Sequence, residues 1–310
     1  MPAPKEIIIP ADVPKASQDL FLKNYNAATA NTGRLMLFAG DQKVEHLNDD
    51  YFGQGIPTDA AHPHHLFQIA SQAKIGVFAT QFGLMCRYAS SFSNIPFLIK
   101  INGKSNLLPQ HMDDPCSTAW YTVDQISRYS NNNPLNILGF GYTVYLGSRY
   151  ERKMLQEAAK MVHDAHAIGR IAVLWMYPKG QAISDEHNAH TIAGAAGIAN
   201  CLGADFVKIK LPLINGNYQE ELLHEIVSAA GNIGVLCEGG PKADATIFLG
   251  TIYRQIHNFG IRGSATGRNI YQNNLAQSIA MANAIYGITI EQKGLAQIFQ
   301  EFKNKSRENS

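Results

Sequence analysis

The segment GADFVKIKLP, residues 203–212, places Lys208 and Lys210 two apart in an otherwise apolar run. A lysine that is partly desolvated beside a second ammonium has its pKa lowered, so part of it is neutral amine near neutral pH. A neutral amine attacks a ketone and forms a Schiff base. The same lysines also admit a structural role, paired with Asp41 or Glu238 in a buried ion network. Burying ions is costly, so several charges gathered at one place are better explained by a site than by stability.

Two glycine-rich stretches add a second kind of chemistry. CEGGPK (237–242) and GSATGRN (263–269) can bring backbone N–H groups close to an anion. Phosphate is the anion expected there.

These groups need a scaffold, and the chain reads as one. Apolar runs at 35–40, 75–80, 96–102, 137–145, 171–177, 206–211, 233–239 and 261–267 predict eight strands. Amphipathic stretches at 63–73, 117–129, 149–168, 188–202, 218–230, 243–258, 270–286 and 291–303 predict helices between and after them. Nearly continuous apolar strands alternating with helices imply a parallel sheet covered by helices, and the count of eight favours a closed (β/α)8 TIM barrel of the α/β class. An open doubly wound sheet is the competitor, weakened for dinucleotide binding by the missing GxGxxG after the first strand. The whole chain, 1–310, is read as one domain, with an N-terminal extension at 1–33 carrying a short helix (16–31) and a flexible tail at 304–310.

Alternation along the strands sorts their side chains. Val207, Ile209 and Leu211 suit the helix-facing side, which turns Phe206, Lys208 and Lys210 inward. The same parity groups Trp175 with Tyr177, and places Lys100 and Asp41 at the C-terminal ends of the third and first strands, where barrel enzymes build their sites.

Composition narrows the partners. The formal net charge is +1 and the one basic run is the tail KNKSRENS, so neither nucleic acid nor a membrane surface is expected as partner. Four cysteines, widely spaced and without a CxxC pair, fit a reducing compartment. The apolar run near the N-terminus is too short for a signal peptide, and a cytoplasmic location is expected. The histidines of HPHH (62–65) are read as loop residues rather than metal ligands, and Arg87 and Tyr88 as either distal phosphate contacts or a solvated loop. His187 and His190 are expected to cap a helix or to support the site from behind.

The motifs DQKVEH (41–46), MYPKG (176–180), GADFVK (203–208), EGGPK (238–242) and GRN (267–269) resemble, in order, those of the archaeal-type class I fructose-bisphosphate aldolases, the DhnA-like aldolase family. The resemblance runs from about residue 33 to 287. It implies a barrel that cleaves and forms fructose 1,6-bisphosphate, in glycolysis or gluconeogenesis, through a lysine imine and without a metal or other cofactor. By this resemblance Lys208 is the Schiff-base residue, Tyr177 the general acid/base with its pKa pulled down by nearby ammonium groups, Trp175 a wall of the pocket, and Asp41 the group that orients proton transfers. Gly239, Gly240, Gly267 and Arg268 hold a phosphate, Arg268 through its backbone N–H as well as its side chain. Lys210 and Lys100 are further substrate contacts, and a homo-oligomer is expected. Two positions depart from the family: Lys179 stands where many relatives have arginine, and Glu238 where a small residue is expected. The alternatives are a related Schiff-base aldolase or transaldolase-like enzyme acting on another phosphorylated keto-sugar, and a silent barrel that only binds sugar phosphates.

Overall fold

Eight parallel strands close on themselves, because the first pairs with both its successor and the last. In chain order they are β1 (Leu35–Ala39), β2 (Val77–Gln81), β3 (Phe97–Lys100), β4 (Ile137–Leu146), β5 (Ile171–Pro178), β6 (Phe206–Ile209), β7 (Gly234–Glu238) and β8 (Gly263–Thr266). The computed structural model describes residues 7–109, 111–132 and 135–307.

Strand alternation divides the core in two. Leu35, Leu37, Val77, Leu98, Ile171, Val173, Phe206 and Leu236 fill the lumen, while Met36, Phe38, Val207 and Ile209 pack under the surrounding helices. Most strands are therefore apolar on both faces, as suits a closed parallel sheet, while β8 carries Ser264 and Thr266, which hydrogen-bond each other.

Helix α1 (Gln18–Thr29) does more than precede the barrel. Its Phe21, Tyr25 and Ala28 join the lumen cluster, and Tyr25 stacks on Phe206 at 5.6 Å between ring centroids. Asn24 Nδ2 donates to Gly169 O at 2.6 Å, and Arg262 donates to Gly33 O, Asn232 O and Tyr25 OH. The helix thus closes the N-terminal end of the barrel. Phe21 is fully buried, so Phe21→Ala is expected to cost about 3–5 kcal/mol, seen as a lower denaturant midpoint at unchanged slope.

The remaining helices are α2 (Pro63–Gln72), α3 (Phe82–Tyr88), α4 (Val123–Asn132), α5 (Glu151–Ala167), α6 (Ala189–Cys201), α7 (Leu223–Ala230), α8 (Ala245–Asn258), α9 (Arg268–Tyr271), α10 (Leu275–Thr289) and α11 (Leu295–Arg307). Where they depart from the expected spans, a local cause is visible. The helix expected from 117 starts at Val123, because Thr122 and Gln125 exchange side-chain and backbone hydrogen bonds as a capping box, and Thr118–Ala119 instead pairs with Asn102–Gly103. The one expected from 218 is shortened because Asn215 and Gly216, at φ 51° and 76°, turn Leu213–Ile214 back on Asn217–Tyr218. That expected at 270–286 is split between α9 and α10, with Asn274 accepting from Gln277 N to cap the second. Helix α3 occupies the expected loop after β2, and α11 runs to Arg307 where a flexible tail was expected; residues 308–310 lie outside the described residues.

Candidate active site

A cavity of about 270 Å³ opens at the C-terminal ends of the strands. Its floor is set by strand register: Trp175 of β5 pairs with Lys208 of β6, which pairs in turn with Leu236 of β7. Lys208 is only 3% exposed and Lys100, at the end of β3, 2%. Two amines are therefore buried above one apolar layer.

Their counter-charge is Asp41, two residues past β1. It accepts from Lys100 Nζ at 2.8 Å, while Gln81 Nε2 donates to its backbone carbonyl at 2.5 Å. The indole of Trp175 lies 4.5 Å from the Lys100 ammonium and 5.7 Å from that of Lys208, within cation–π range. Room for that ring comes from Gly141, where a Cβ would meet it at 2.5 Å.

Burial lowers the pKa of Lys208, and the Lys100 charge lowers it further, against the opposing pull of Asp41, Glu238 and Glu45. Lys100 is thus the neighbouring ammonium that the sequence pattern had assigned to Lys210. Lys210 lies one residue past β6, lines the rim of the cavity, and is tied to Glu186 at 2.7 Å. The chain has left the barrel wall by that point, so strand parity no longer directs the side chain inward.

Tyr177 faces the cavity from β5, with its ring 6.4 Å from that of Tyr145 on β4. Its phenol is pushed well above the ordinary tyrosine range, by burial first and then by Glu238, Glu45, Asp41 and Tyr145. The expected lowering by ammonium groups is overturned: desolvation and three carboxylates raise the phenol and favour its protonated form. Asp41 moves the other way, held below the usual carboxylate range by Lys100 and Lys208 despite the opposing cost of burial.

The loops after β7 and β8 supply the rest of the wall. Gly239, Gly240, Gly267 and Arg268 all border the cavity, with Gly240 at φ 62°. Gly267 is tightly enclosed, since a Cβ would meet Gln42 Oε1 at 2.1 Å and Ala39 O at 2.7 Å. The N–H of Gly239 is donated to Ala265 O at 3.2 Å, which leaves that residue a shaping part more than a donor. Arg268 Nε sits 3.8 Å from Asp50 Oδ2, and Asp50 also accepts from Tyr271 OH and pairs with His46. Four buried polar atoms of residues in this wall, Asp41 Oδ1, Gln42 Oε1, Trp175 Nε1 and Arg268 Nε, have no hydrogen-bond partner among the described residues.

Other candidates fall outside. Arg87 is exposed on α3, and Tyr88 packs on Phe67 at 4.9 Å; neither borders the cavity. His65 bonds Tyr271 O through Nε2 at 3.1 Å, and His64 leans on Phe92. Among the described residues no group of three or more His, Cys, Asp or Glu comes together as metal ligands. His187 lines the cavity with Nδ1 on Leu211 O at 2.8 Å, while His190 is exposed and bound to Glu225. Asn188, not either histidine, caps α6. Gln42, Glu45, His46 and Tyr145 border the cavity and were not singled out from sequence. The alternation used on the other strands finds Tyr145, which lies in register with Tyr177; the loop residues have no period to betray them.

A profile described as DeoC/LacD family aldolase matches residues 35–273. The chain belongs to that family. It is 49% identical over 291 residues, covering 94% of this chain and 93% of the relative, to the fructose-bisphosphate aldolase/6-deoxy-5-ketofructose 1-phosphate synthase of Methanocaldococcus jannaschii. Against the fructose-bisphosphate aldolase class 1 of Thermoproteus tenax, identity is 30% over 260 residues, covering 83% and 92% of the two chains. Among solved structures, a fructose-bisphosphate aldolase from Slackia heliotrinireducens superposes with a TM-score of 0.93 at 43% identity, covering 97% of this chain and 95% of that one. An archaeal fructose-1,6-bisphosphate aldolase, solved with its catalytic lysine covalently bound to the carbinolamine intermediate, gives 0.73 at 28% identity, with 87% and 99% covered.

Proposed function

We propose that this member of the DeoC/LacD aldolase family is a class I fructose-bisphosphate aldolase, interconverting fructose 1,6-bisphosphate with dihydroxyacetone phosphate and glyceraldehyde 3-phosphate. The observation that carries the reading is the buried, pKa-lowered amine of Lys208 at the mouth of the barrel, in register with Trp175 and below Tyr177. Relatives named for this activity support it.

In this reading Lys208 adds to the C2 carbonyl, and loss of water leaves an iminium. Tyr177, which holds its proton, delivers it to the departing hydroxyl; the phenolate so formed takes the C4 hydroxyl proton as C3–C4 breaks and returns it to C3 of the enamine. Lys100 and Asp41 fix one another, so Asp41 presents its second oxygen, Oδ1, to the carbinolamine. Gly240, Gly267 and Arg268, shaped by Gly239, receive one phosphate; Lys210, beside Lys179 and His187 on the rim, receives the other. Trp175 supplies a flat wall that tolerates positive charge.

Borohydride reduction in the presence of dihydroxyacetone phosphate tests this, with peptide mass spectrometry locating the adduct on Lys208. An unlabelled protein would favour a barrel that only binds sugar phosphates. Because the imine serves as the electron sink, overnight chelation is expected to leave turnover unchanged within about twofold; a metal-restorable loss would overturn the mechanism.

A second product is favoured by one specific finding, the double name of the Methanocaldococcus relative. Disconnecting 6-deoxy-5-ketofructose 1-phosphate at C3–C4 gives dihydroxyacetone phosphate and 2-oxopropanal. The same enamine, offered that aldehyde, would make it. Cytoplasmic residence, a single barrel domain and a homo-oligomeric state belong to the same reading, supported by the widely spaced cysteines, the continuous barrel and the family resemblance.

A further inference from the structure

The carboxylate of Asp50 stands behind the cavity wall rather than in it. Its oxygen Oδ2 is met from three sides, by His46 Nδ1 at 2.5 Å, the hydroxyl of Tyr271 at 3.5 Å and Arg268 Nε at 3.8 Å. His46 and Arg268 both border the cavity. Two wall residues, one from the loop after β1 and one from the start of α9, are thus aligned by a single group at their backs.

The local chain is shaped to put that group there. Leu47 sits at φ 55°, a left-handed conformation that a branched side chain rarely adopts, and the turn brings His46 and Asp50, four residues apart, face to face. Beyond the turn the loop is pinned to the end of α9. Gln272 Nε2 donates to Asp50 O at 2.8 Å, and Tyr51 stacks on Tyr271 with ring centroids 4.9 Å apart and planes 4° from parallel. These anchors use the main chain of Asp50 and the ring beside it, which leaves to the carboxylate the orientation of His46 and Arg268. Burial would raise its pKa, but His46, Arg268 and Tyr271 outweigh that and hold it below the usual carboxylate range.

We propose that Asp50 is a positioning residue for the phosphate on the ketone half that becomes joined to Lys208, holding Arg268 and His46 so that the guanidinium turns its Nη groups, and the imidazole its Nε2 edge, toward that phosphate. This rests on the Schiff-base aldolase reading and adds to it a residue that never touches substrate. The strands follow one another around the barrel as β6, β7, β8 and β1. The glycine loops after β7 and β8, and then the Asp50 cluster, therefore succeed Lys208 in turn on one side, with Tyr177 of β5 on the other. A phosphate close to the imine carbon falls on the glycine side. Arg268 Nε has no hydrogen-bond partner among the described residues and its ion pair with Asp50 is long, so the guanidinium is oriented without being consumed. An arginine held in place beforehand loses less rotamer freedom when the anion arrives.

The test is Asp50→Asn, which keeps the shape and the main-chain anchors and removes the charge. Expected is a rise of about tenfold or more in the dihydroxyacetone phosphate concentration that half-saturates borohydride labelling of Lys208, with a matching rise in KM for fructose 1,6-bisphosphate and kcat changed little. Dihydroxyacetone, which lacks the phosphate, is expected to label variant and wild type alike, and Asp50→Glu to recover part of the affinity for the phosphorylated ketone. A half-saturating concentration within about twofold of wild type overturns the proposal. A lower one does so too, because it would show the carboxylate repelling the phosphate more than it orients the arginine. Equal losses with both ketones would mark Asp50 as structural and also overturn it. Each of these failures leaves the aldolase reading standing, whereas a wild-type protein that labels with neither ketone removes that reading and this role with it.

Discussion

Lys208→Ala is expected to abolish borohydride labelling by dihydroxyacetone phosphate and to lower kcat for cleavage by about 10⁵-fold or more, since the remaining groups act only on an imine that no longer forms. An adduct persisting in that variant, on Lys100 for example, would show that the reactive amine had been misassigned. Fold loss does not confound the experiment. The pKa of Lys208 is lowered by folding, so the folded state disfavours its ammonium. That penalty is full below the folded pKa and vanishes as pH rises past the unfolded value of about 10.4. Removing the amine therefore relieves a charge cost at neutral pH and leaves the cavity of the missing side chain, while Asp41 loses one of its two cations and keeps Lys100. The same lowering predicts that labelling of the wild-type protein rises with pH and reaches its plateau below the range of an ordinary lysine.

Tyr177→Phe is expected to retain the fold and lose about 10²–10⁴-fold in kcat, the usual worth of a positioned proton donor. Both dehydration of the carbinolamine and protonation of the enamine depend on it, so labelling of Lys208 should slow as well as turnover. Equal labelling rates in Tyr177→Phe and wild type would remove Tyr177 from the imine-forming step. Because burial and the neighbouring carboxylates keep the phenol protonated, the activity of wild type should show no inflection from Tyr177 at neutral pH.

The barrel was legible because most of its strands are apolar on both faces, and parity then separated Phe206, Lys208 and Trp175 from Val207 and Ile209. Parity brought Lys210 to the cavity rim, but β6 has ended there and Glu186 pairs with the side chain, so Lys100 and not Lys210 is the ammonium beside Lys208. It said nothing of Gln42, Glu45 and His46, whose loop crosses the mouth without a repeating pattern. The protonation of Tyr177 was misread because lysines two residues apart are visible along a chain, whereas Glu45, Asp41 and Glu238 converge only in three dimensions. Helix α1 was visible as a helix, but its place beneath the lumen depends on Phe206 offering Tyr25 a stacking face at the start of β6.

The side chains that fill the lumen, with that helix beneath them, make the barrel a cul-de-sac. In the proposed reaction ketose, aldehyde and triose phosphate all pass through one doorway, with the covalent tether at its far end. On that reading the aldehyde half lies nearer the exit and departs first, while the half joined to Lys208 stays until water breaks the C=N link. Departure is thus sequential by construction, and any second aldehyde that enters before hydrolysis meets a nucleophilic carbon already in place.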